Sequence, residues 1–377
     1  MAAGTSGPVA STAVALRAAA ESLRAGRSDE ALRAAQEVLQ AVPHEPAALR
    51  LAGVALMRLG RVGEAVEALR GAVRLVHAAA LANPMDYDAS QRVVTWVAEQ
   101  VPAIPPPPAG VTAPSRDPAS PWRRVTVGFC SIDPAREERA RRGIAAALSP
   151  APCEFEVIHD PPSLAEGFNR IVERASGDLL ILCHDDIEVL SPRLDLALQR
   201  ALLSAEVVGV AGSQRVAGPA VLWAGHPHIH GWVTYPRGTE LEVAPLSLRS
   251  GVIPGMQSLD GVFMAMRPET ARAIRFDAGA FDGFHFYDLD FSYRAHLAGL
   301  RLAVSTDILL AHASEGSFDE SWRKYAERFR AKYPSLSQPK GDPHWYGARV
   351  ASVSNAIAFY DELRALHGSA AANGNAP

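Results

Sequence analysis

An apolar run, Leu179-Leu180-Ile181-Leu182-Cys183, leads directly into His184-Asp185-Asp186. Such a run reads as a buried strand, and in open α/β sheets ligands bind beyond the C-terminal ends of strands. Two carboxylates at that place can hold a hard divalent cation, Mg²⁺ or Mn²⁺, through oxygen. A cation so held neutralises a diphosphate and helps it leave. Acidic pairs after strands also serve as turn residues and helix caps, so the pair alone leaves both readings open.

Three further stretches carry groups of the right type. Phe284-His285-Phe286-Tyr287-Asp288-Leu289-Asp290 opens a helical pattern that ends near Gly299. Asp290 is expected to cap that helix. Asp288 precedes it and can face a cleft, where one carboxylate suffices to take a proton from a hydroxyl. Its plainer reading is a helix-start acid favoured by the dipole. The run Asp307-Ile308-Leu309-Leu310-Ala311 ends in His312, either a satisfied structural histidine or a ligand. Asp260 stands beside Gly261, as a turn acid or as a contact for substrate hydroxyls. His226, His228 and His230 alternate, which on a strand would put them on one face. Pro227 and the Gly/Trp surroundings suggest an irregular segment instead. Trp223, Trp232 and Tyr235 nearby can stack on a sugar ring or fill core.

The elements that must position these groups form a doubly wound α/β pattern. From Arg124, short apolar runs alternate with amphipathic stretches: VTVGF, a helix near Glu137–Leu148, FEVIH, a helix near Leu164–Ala175, then DLLILC. That alternation predicts a mostly parallel sheet. Later come a helix near Asp290–Ala298, a strand near Arg301–Leu310 and a terminal helix over Val350–Leu366.

Upstream the composition differs. Helices rich in Ala, Leu, Arg and Glu fill the first hundred residues, and Gly26-Arg27-Ser28-Asp29-Glu30-Ala31 returns 34 residues later as Gly60-Arg61-Val62-Gly63-Glu64-Ala65. The period and pattern resemble the tetratricopeptide repeat, an all-α unit here spanning 10–100; an unrelated pair of helical hairpins is the alternative. Gly26 and Gly60 would sit in the turns between paired helices. Pro43 should end the first repeat, whereas His77 stands at that place in the second, whose last helix can run on. A helix near Gln91–Gln100 would cap the packing. Residues 101–121, VPAIPPPPAGVTAPSRDPASP, read as an extended linker. A catalytic domain would then occupy 122–336, with a C-terminal helix and disordered tail over 337–377.

With Ala165-Glu166-Gly167-Phe168-Asn169 and Ala175-Ser176-Gly177-Asp178 before the acidic strand, the chain from about Val125 to Pro334 resembles the GT-A fold glycosyltransferases, in particular family 2. Those enzymes place an Asn on a helix, then A-x-G-D, an apolar strand and a D-x-D motif. The resemblance implies a Rossmann-like transferase that uses a nucleoside-diphosphate sugar and a divalent metal, with inversion at the anomeric carbon. Carried over, Asp186 is the metal ligand, Asp185 the ribose contact, Asp288 the catalytic base and His312 a further metal ligand. Asn169, Asp133, Asp160 and Asp260 are carried over as donor-pocket residues, Asp133 bordering the nucleotide base. Ser314, Gly316 and Ser317 follow His312 as in the family's H…G-S pattern, a loop that can close over the diphosphate. Leu259-Asp260-Gly261-Val262-Phe263-Met264 resembles the strand lining the acceptor side. Two positions depart from the pattern: His184 stands where the first Asp of D-x-D is expected, and Tyr287 where a Glu is expected.

Composition excludes some classes of function. The chain has 377 residues, a net charge of −4 and 48% hydrophobic residues, so no global basic field favours nucleic acid. Three cysteines without CxxC spacing give no disulfide framework or structural zinc site, and a reducing cytoplasm fits. No signal peptide or transmembrane segment is expected, so contact with membrane-bound substrate would be peripheral to the inner face of the membrane. The resemblance implies an acceptor that is a glycan, protein or small molecule, and the helical repeats would offer a surface for a protein partner or self-association. Two alternatives stand beside transfer. One is an inactive nucleotide-sugar-binding or interaction scaffold, which the His184 and Tyr287 departures permit. The other is a metal hydrolase built on His226, His228 and His230.

Overall fold

A computed structural model describes residues 8–103, 119–314, 316–342 and 344–372. Most of the linker expected over 101–121, and the last five residues of the expected tail, lie outside the described residues. Two compact units result: 1–111 together with 358–377, and 112–357. Among the described residues no helix is long and apolar enough to cross a membrane.

The first unit opens with α1 (Pro8–Arg24), α2 (Ser28–Ala41), α3 (Pro46–Arg58), α4 (Val62–Ala82) and α5 (Tyr87–Gln100). The 34-residue period survives in the backbone. Gly26 and Gly60 turn the chain at φ +77° and +76°, a left-handed conformation that glycine adopts without a Cβ penalty. One residue on, Arg27 pairs with Glu30 and Arg61 with Glu64, each at 2.6 Å. Ala31 and Ala65 are fully buried, as close helix contact requires. Without a proline where Pro43 ends α2, α4 runs on for 21 residues. The Arg70 Nε on α4 donates to Glu362 Oε2 at 2.9 Å, and Gln100 Nε2 to the same oxygen at 3.3 Å, so the C-terminal stretch packs within this unit.

The second unit begins with the expected alternation: β1 (Val125–Cys130), α6 (Pro134–Leu148), β2 (Cys153–Ile158), α7 (Leu164–Arg174) and β3 (Leu179–Cys183). It continues through β4 (Ile187–Val189), α8 (Leu194–Leu202), β5 (Val207–Gly209), β6 (Ala211–Ser213), β7 (Ile229–Arg237), β8 (Glu240–Pro245), β9 (Val252–Met256), β10 (Ser258–Leu259) and β11 (Phe263–Met266). Then follow α9 (Pro268–Ile274), α10 (Tyr287–Leu297), β12 (Leu302–Ser305), β13 (Leu310–His312), α11 (Glu320–Lys332) and β14 (Ala348–Val350), and α12 (Val353–Ala372) ends the described chain.

The main sheet runs β2-β1-β3-β11-β5-β12-β9. It is mixed rather than mostly parallel: β1 is parallel to β2 and β3, and β12 to β5, but β11 and β9 run antiparallel to their neighbours. The parallel half is where strand and helix alternate in sequence. Beyond β3 the alternation weakens, and β11 and β9 enter the sheet antiparallel to the strands beside them. Every side chain of β3 is buried, Leu179, Ile181 and Cys183 in one core and Leu180 and Leu182 in the other. That two-sided burial explains its unbroken apolar run. A second sheet runs β10-β6-β7-β13-β4, with β8 joined to β7 and β14 to β8. The strand expected over 301–310 is therefore two, β12 in the first sheet and β13 in the second.

Asp290 does not cap α10. The helix begins three residues earlier, after Phe286 at φ +68°, and Asp290 is fully buried within it. Its carboxylate accepts from Arg294 Nε at 2.8 Å and Tyr333 hydroxyl at 2.7 Å, and Lys332 Nζ stands at 2.6 Å. The acid thus clamps α10 to α11. Removing one partner of a buried ionic cluster leaves the other charges uncompensated. Asp290→Ala is expected to lower stability by about 3 kcal/mol. Urea unfolding followed by tryptophan fluorescence checks this, since Trp122, Trp223, Trp232, Trp322 and Trp345 all lie in this unit.

Candidate active site

Strand β3 delivers His184, Asp185 and Asp186 to the C-terminal edge of the main sheet, where the His184 N–H donates to Val262 O at 3.1 Å. The chain then turns into β4, which pairs antiparallel with β13 so that Ile187 faces His312. The Ala313 N–H donates to Asp186 O at 3.0 Å. This pairing, between residues far apart in sequence, sets His312 beside Asp186.

The result is a tight cluster. His312 Nε2 lies 3.3 Å from Asp186 Oδ1, His184 Nδ1 lies 3.9 Å from the same oxygen, and the two imidazole nitrogens are 3.2 Å apart. Among the described residues, His184, Asp186 and His312 are the group of three side chains able to hold a metal ion. Adjacent ligands at about 2.1 Å from a cation stand about 3 Å apart, so the spacing fits three positions on one face of a coordination shell. The chemistry fits as well, because three lone-pair atoms converging in a half-buried site need a proton or a cation between them. Burial opposes ionisation of Asp186, yet hydrogen bonds from His312 and Ser314 and the nearby imidazoles hold its carboxyl well below the usual range. Burial, then the His312 charge, pushes His184 down, which favours the neutral imidazole that ligates.

The other ring nitrogen of His184, Nε2, meets the Tyr287 hydroxyl at 2.8 Å. A ligating histidine is commonly oriented by a partner on its far nitrogen. Both departures from the family pattern thus meet in one hydrogen bond: the histidine joins the cluster and the tyrosine orients it. Sequence reasoning treated His184 as a deviation rather than a ligand. No local pattern marked it, because Asp185 and Asp186 stand in a turn and the meeting depends on the pairing of β4 with β13.

Tyr287 and Asp288 open α10. Asp288 Oδ2 accepts the Gly261 N–H at 2.9 Å. A Cβ on Gly261 would lie 2.2 Å from the Tyr287 hydroxyl and 2.9 Å from Asp288 Cβ, so glycine is required for the helix start to come this close. Burial, then the Asp260 charge, raises the Asp288 carboxyl to about 7. Asp260 Oδ1 accepts the Val262 N–H at 2.9 Å, its turn role. His184, Asp260, Tyr287, Asp288 and His312 line one cavity of about 810 Å³.

The remaining expected site residues are placed differently. Asp185 accepts a 2.7 Å hydrogen bond from Ser131 Oγ, at the end of β1. Asp133 caps α6, accepting from the N–H groups of Ala135 and Arg136. Asn169 binds the Phe276 backbone at both ends of its amide, at 2.8 and 2.9 Å, and does not line the cavity. Asp160 is exposed just past β2, at φ +46°. His226, His228 and His230 form no metal-ligating group among the described residues. His226 Nε2 meets His344 O, and His230 uses both nitrogens, on Ser247 at 3.0 Å and Gln214 at 3.1 Å. Trp232 is fully buried core.

A family described as "Glycosyltransferase like family" matches residues 128–333, more than half of the chain. The chain belongs to this glycosyltransferase-like family. The matched residues lie in the second unit, which is therefore a glycosyltransferase-like domain, and five helices precede it in sequence. Comparison with curated proteins returns no match. Among solved structures, the glycosyltransferase is similar to the mannosyltransferase PcManGT from Pyrobaculum calidifontis in complex with GDP-Man and Mn²⁺, at 14% identity and TM-score 0.35, covering 81% of this chain and 87% of that one. It is also similar to GalNAc-T7 with UDP, GalNAc and Mn²⁺, at 10% identity and TM-score 0.34, covering 65% and 55%. A197 from STIV matches at 12% identity and TM-score 0.31, covering 51% and 86%.

Tyr287→Phe removes the hydroxyl that orients His184 and keeps the ring. In this glycosyltransferase the change is expected to weaken the hold of the three-residue cluster on a divalent cation about tenfold. Calorimetric titration with Mn²⁺ measures it, and an unchanged affinity denies the orienting role.

Proposed function

We propose that the chain transfers a sugar from a nucleoside-diphosphate donor to an acceptor hydroxyl, with inversion at the anomeric carbon and dependence on a divalent cation. The observation that carries this reading is that one cavity is lined both by His184 and His312 of the metal-capable cluster and by Asp288. A cation held by His184, Asp186 and His312 supplies charge neutralisation to the departing diphosphate. Two imidazoles and one carboxylate suit Mn²⁺ better than Mg²⁺, which prefers oxygen ligands and retains its waters.

Asp288 takes the proton of the acceptor hydroxyl as the new C–O bond forms. Attack opposite the departing nucleoside diphosphate inverts the anomeric centre. Burial and the Asp260 charge make the Asp288 carboxylate a stronger base than an exposed one, matched to neutral pH. Asp185, held by Ser131 at the end of β1, takes the donor ribose, and Asp260 meets a sugar hydroxyl. Asp133 and Asn169, engaged by backbone groups, shape the donor end without touching the nucleotide. The helical unit is the part available to hold a protein acceptor or a second subunit.

Asp186→Ala is expected to abolish Mn²⁺-dependent thermal stabilisation by a panel of UDP-, GDP- and dTDP-sugars. Asp288→Asn is expected to keep that stabilisation while transfer falls about 10²–10⁴-fold. A wild-type chain that binds no nucleotide sugar with Mn²⁺ sinks the reading. Because protonated Asp288 cannot accept a proton, the wild-type rate is expected to rise with pH through about 7. A rate flat between pH 5 and 9, about two units either side, removes Asp288 as the base.

A further inference from the structure

The cavity extends well past the cluster and Asp288. Its outer end is lined by Trp223, Phe284, Phe318, Trp345, Arg330 and Lys340. Three of these are large apolar side chains left open to solvent: Phe284 is 58% exposed, Phe318 67% and Trp345 51%. Isolated exposed apolar residues are ordinary, but several on one cavity rim mark a binding surface. Trp223 is fixed in orientation, its Nε1 donating to Gln338 O at 2.9 Å, and a Cβ on Gly218 would overlap its ring edge at 2.3 Å. A fixed aromatic face of this kind stacks on the C–H face of a sugar ring.

Charge separates the two ends. The Arg330 guanidinium and the Lys340 ammonium each lie 6.0 Å from the Trp223 ring centroid, the outer limit of a useful cation–π contact. Neither enters an ion pair with the described residues. Glu242, which also lines the cavity, is engaged by Arg237 Nε at 2.7 Å. The inner end carries Asp260 and Asp288. The cavity therefore presents two cations beside a fixed aromatic ring.

We propose that this outer end is an acceptor subsite for a sugar bearing an acidic group, carboxylate or phosphate. The proposal rests on the transferase reading above and deepens it by naming the acceptor class. The sugar ring stacks on Trp223, the acid pairs with Arg330 and Lys340, and the reacting hydroxyl points inward to Asp288.

The test is saturation-transfer NMR on the full chain, with and without UDP and diamagnetic Mg²⁺. The probes are methyl β-D-glucuronide, glucose 6-phosphate and neutral methyl β-D-glucoside. At least one acidic sugar is expected to bind about tenfold tighter than the neutral one, the worth of a charge-assisted hydrogen bond. Which of the two does so tells carboxylate from phosphate. The advantage should shrink in high salt. Arg330→Gln with Lys340→Gln should erase it, and Arg330→Lys with Lys340→Arg should keep it. No binding of either acidic sugar, equal binding of all three, or an advantage that survives the double glutamine variant overturns the proposal. So does a loss of UDP affinity in that variant with the acidic-sugar advantage intact, because the cations would then serve the donor diphosphate. These outcomes are separate from failure to bind any nucleotide sugar with Mn²⁺, which strikes the transferase reading itself.

Discussion

The His184 imidazole is held at both nitrogens, and this double tether joins the two halves of the site. On one side it meets the Tyr287 hydroxyl at 2.8 Å, and on the other it stands 3.2 Å from His312 Nε2, within the cluster that contains Asp186. Tyr287 is followed immediately by Asp288, so the group that orients the cluster and the candidate base share one helical turn. Displacing α10 would disturb both at once. Gly261 permits the close approach, and buried Asp290, bonded to Arg294 and Tyr333, holds the helix against α11.

The site contains carboxylates in opposed environments. Asp186 is buried but hydrogen-bonded to His312 and Ser314, which holds it ionised to low pH. Asp288 is buried beside the like charge of Asp260, which pushes it up to about 7. Environments that drive two acids apart in this way separate a permanent anion from a group that exchanges a proton. One cavity is lined both by Asp260 and Asp288 and by Arg330 and Lys340, which stand near Trp223.

The helical unit rests on local physics. A glycine at φ near +77° turns the chain, an Arg–Glu pair follows, and a buried alanine lets the helices close, each repeated 34 residues later. Because every contact of this kind spans few residues, the sequence displays it openly. The bond from Arg70 to Glu362 is different in kind: it joins positions 292 residues apart, and no local pattern announces it.

The same distinction divides the catalytic unit. The apolar run of β3, buried on both faces, and the acids that follow it were legible because strand burial leaves a compositional trace. Asp288 and His312 were legible as candidates through the order of motifs. Asp290 was not: an acid near a helix start looks like a cap, and only packing of α10 on α11 made it a buried clamp. Asn169 likewise gives no local sign of its partner, since the fold engages its amide on the Phe276 backbone 107 residues away. Sequence alone determined the helical repeat, the alternating half of the sheet and which side chains were capable of the chemistry. Tertiary structure alone decided that His184 joins Asp186 and His312, because that depends on β4 pairing with β13 and on a tyrosine from α10 reaching the far side of the ring. Such meetings are fixed by long-range strand pairing and helix packing, whose partners lie too far apart along the chain for spacing to encode.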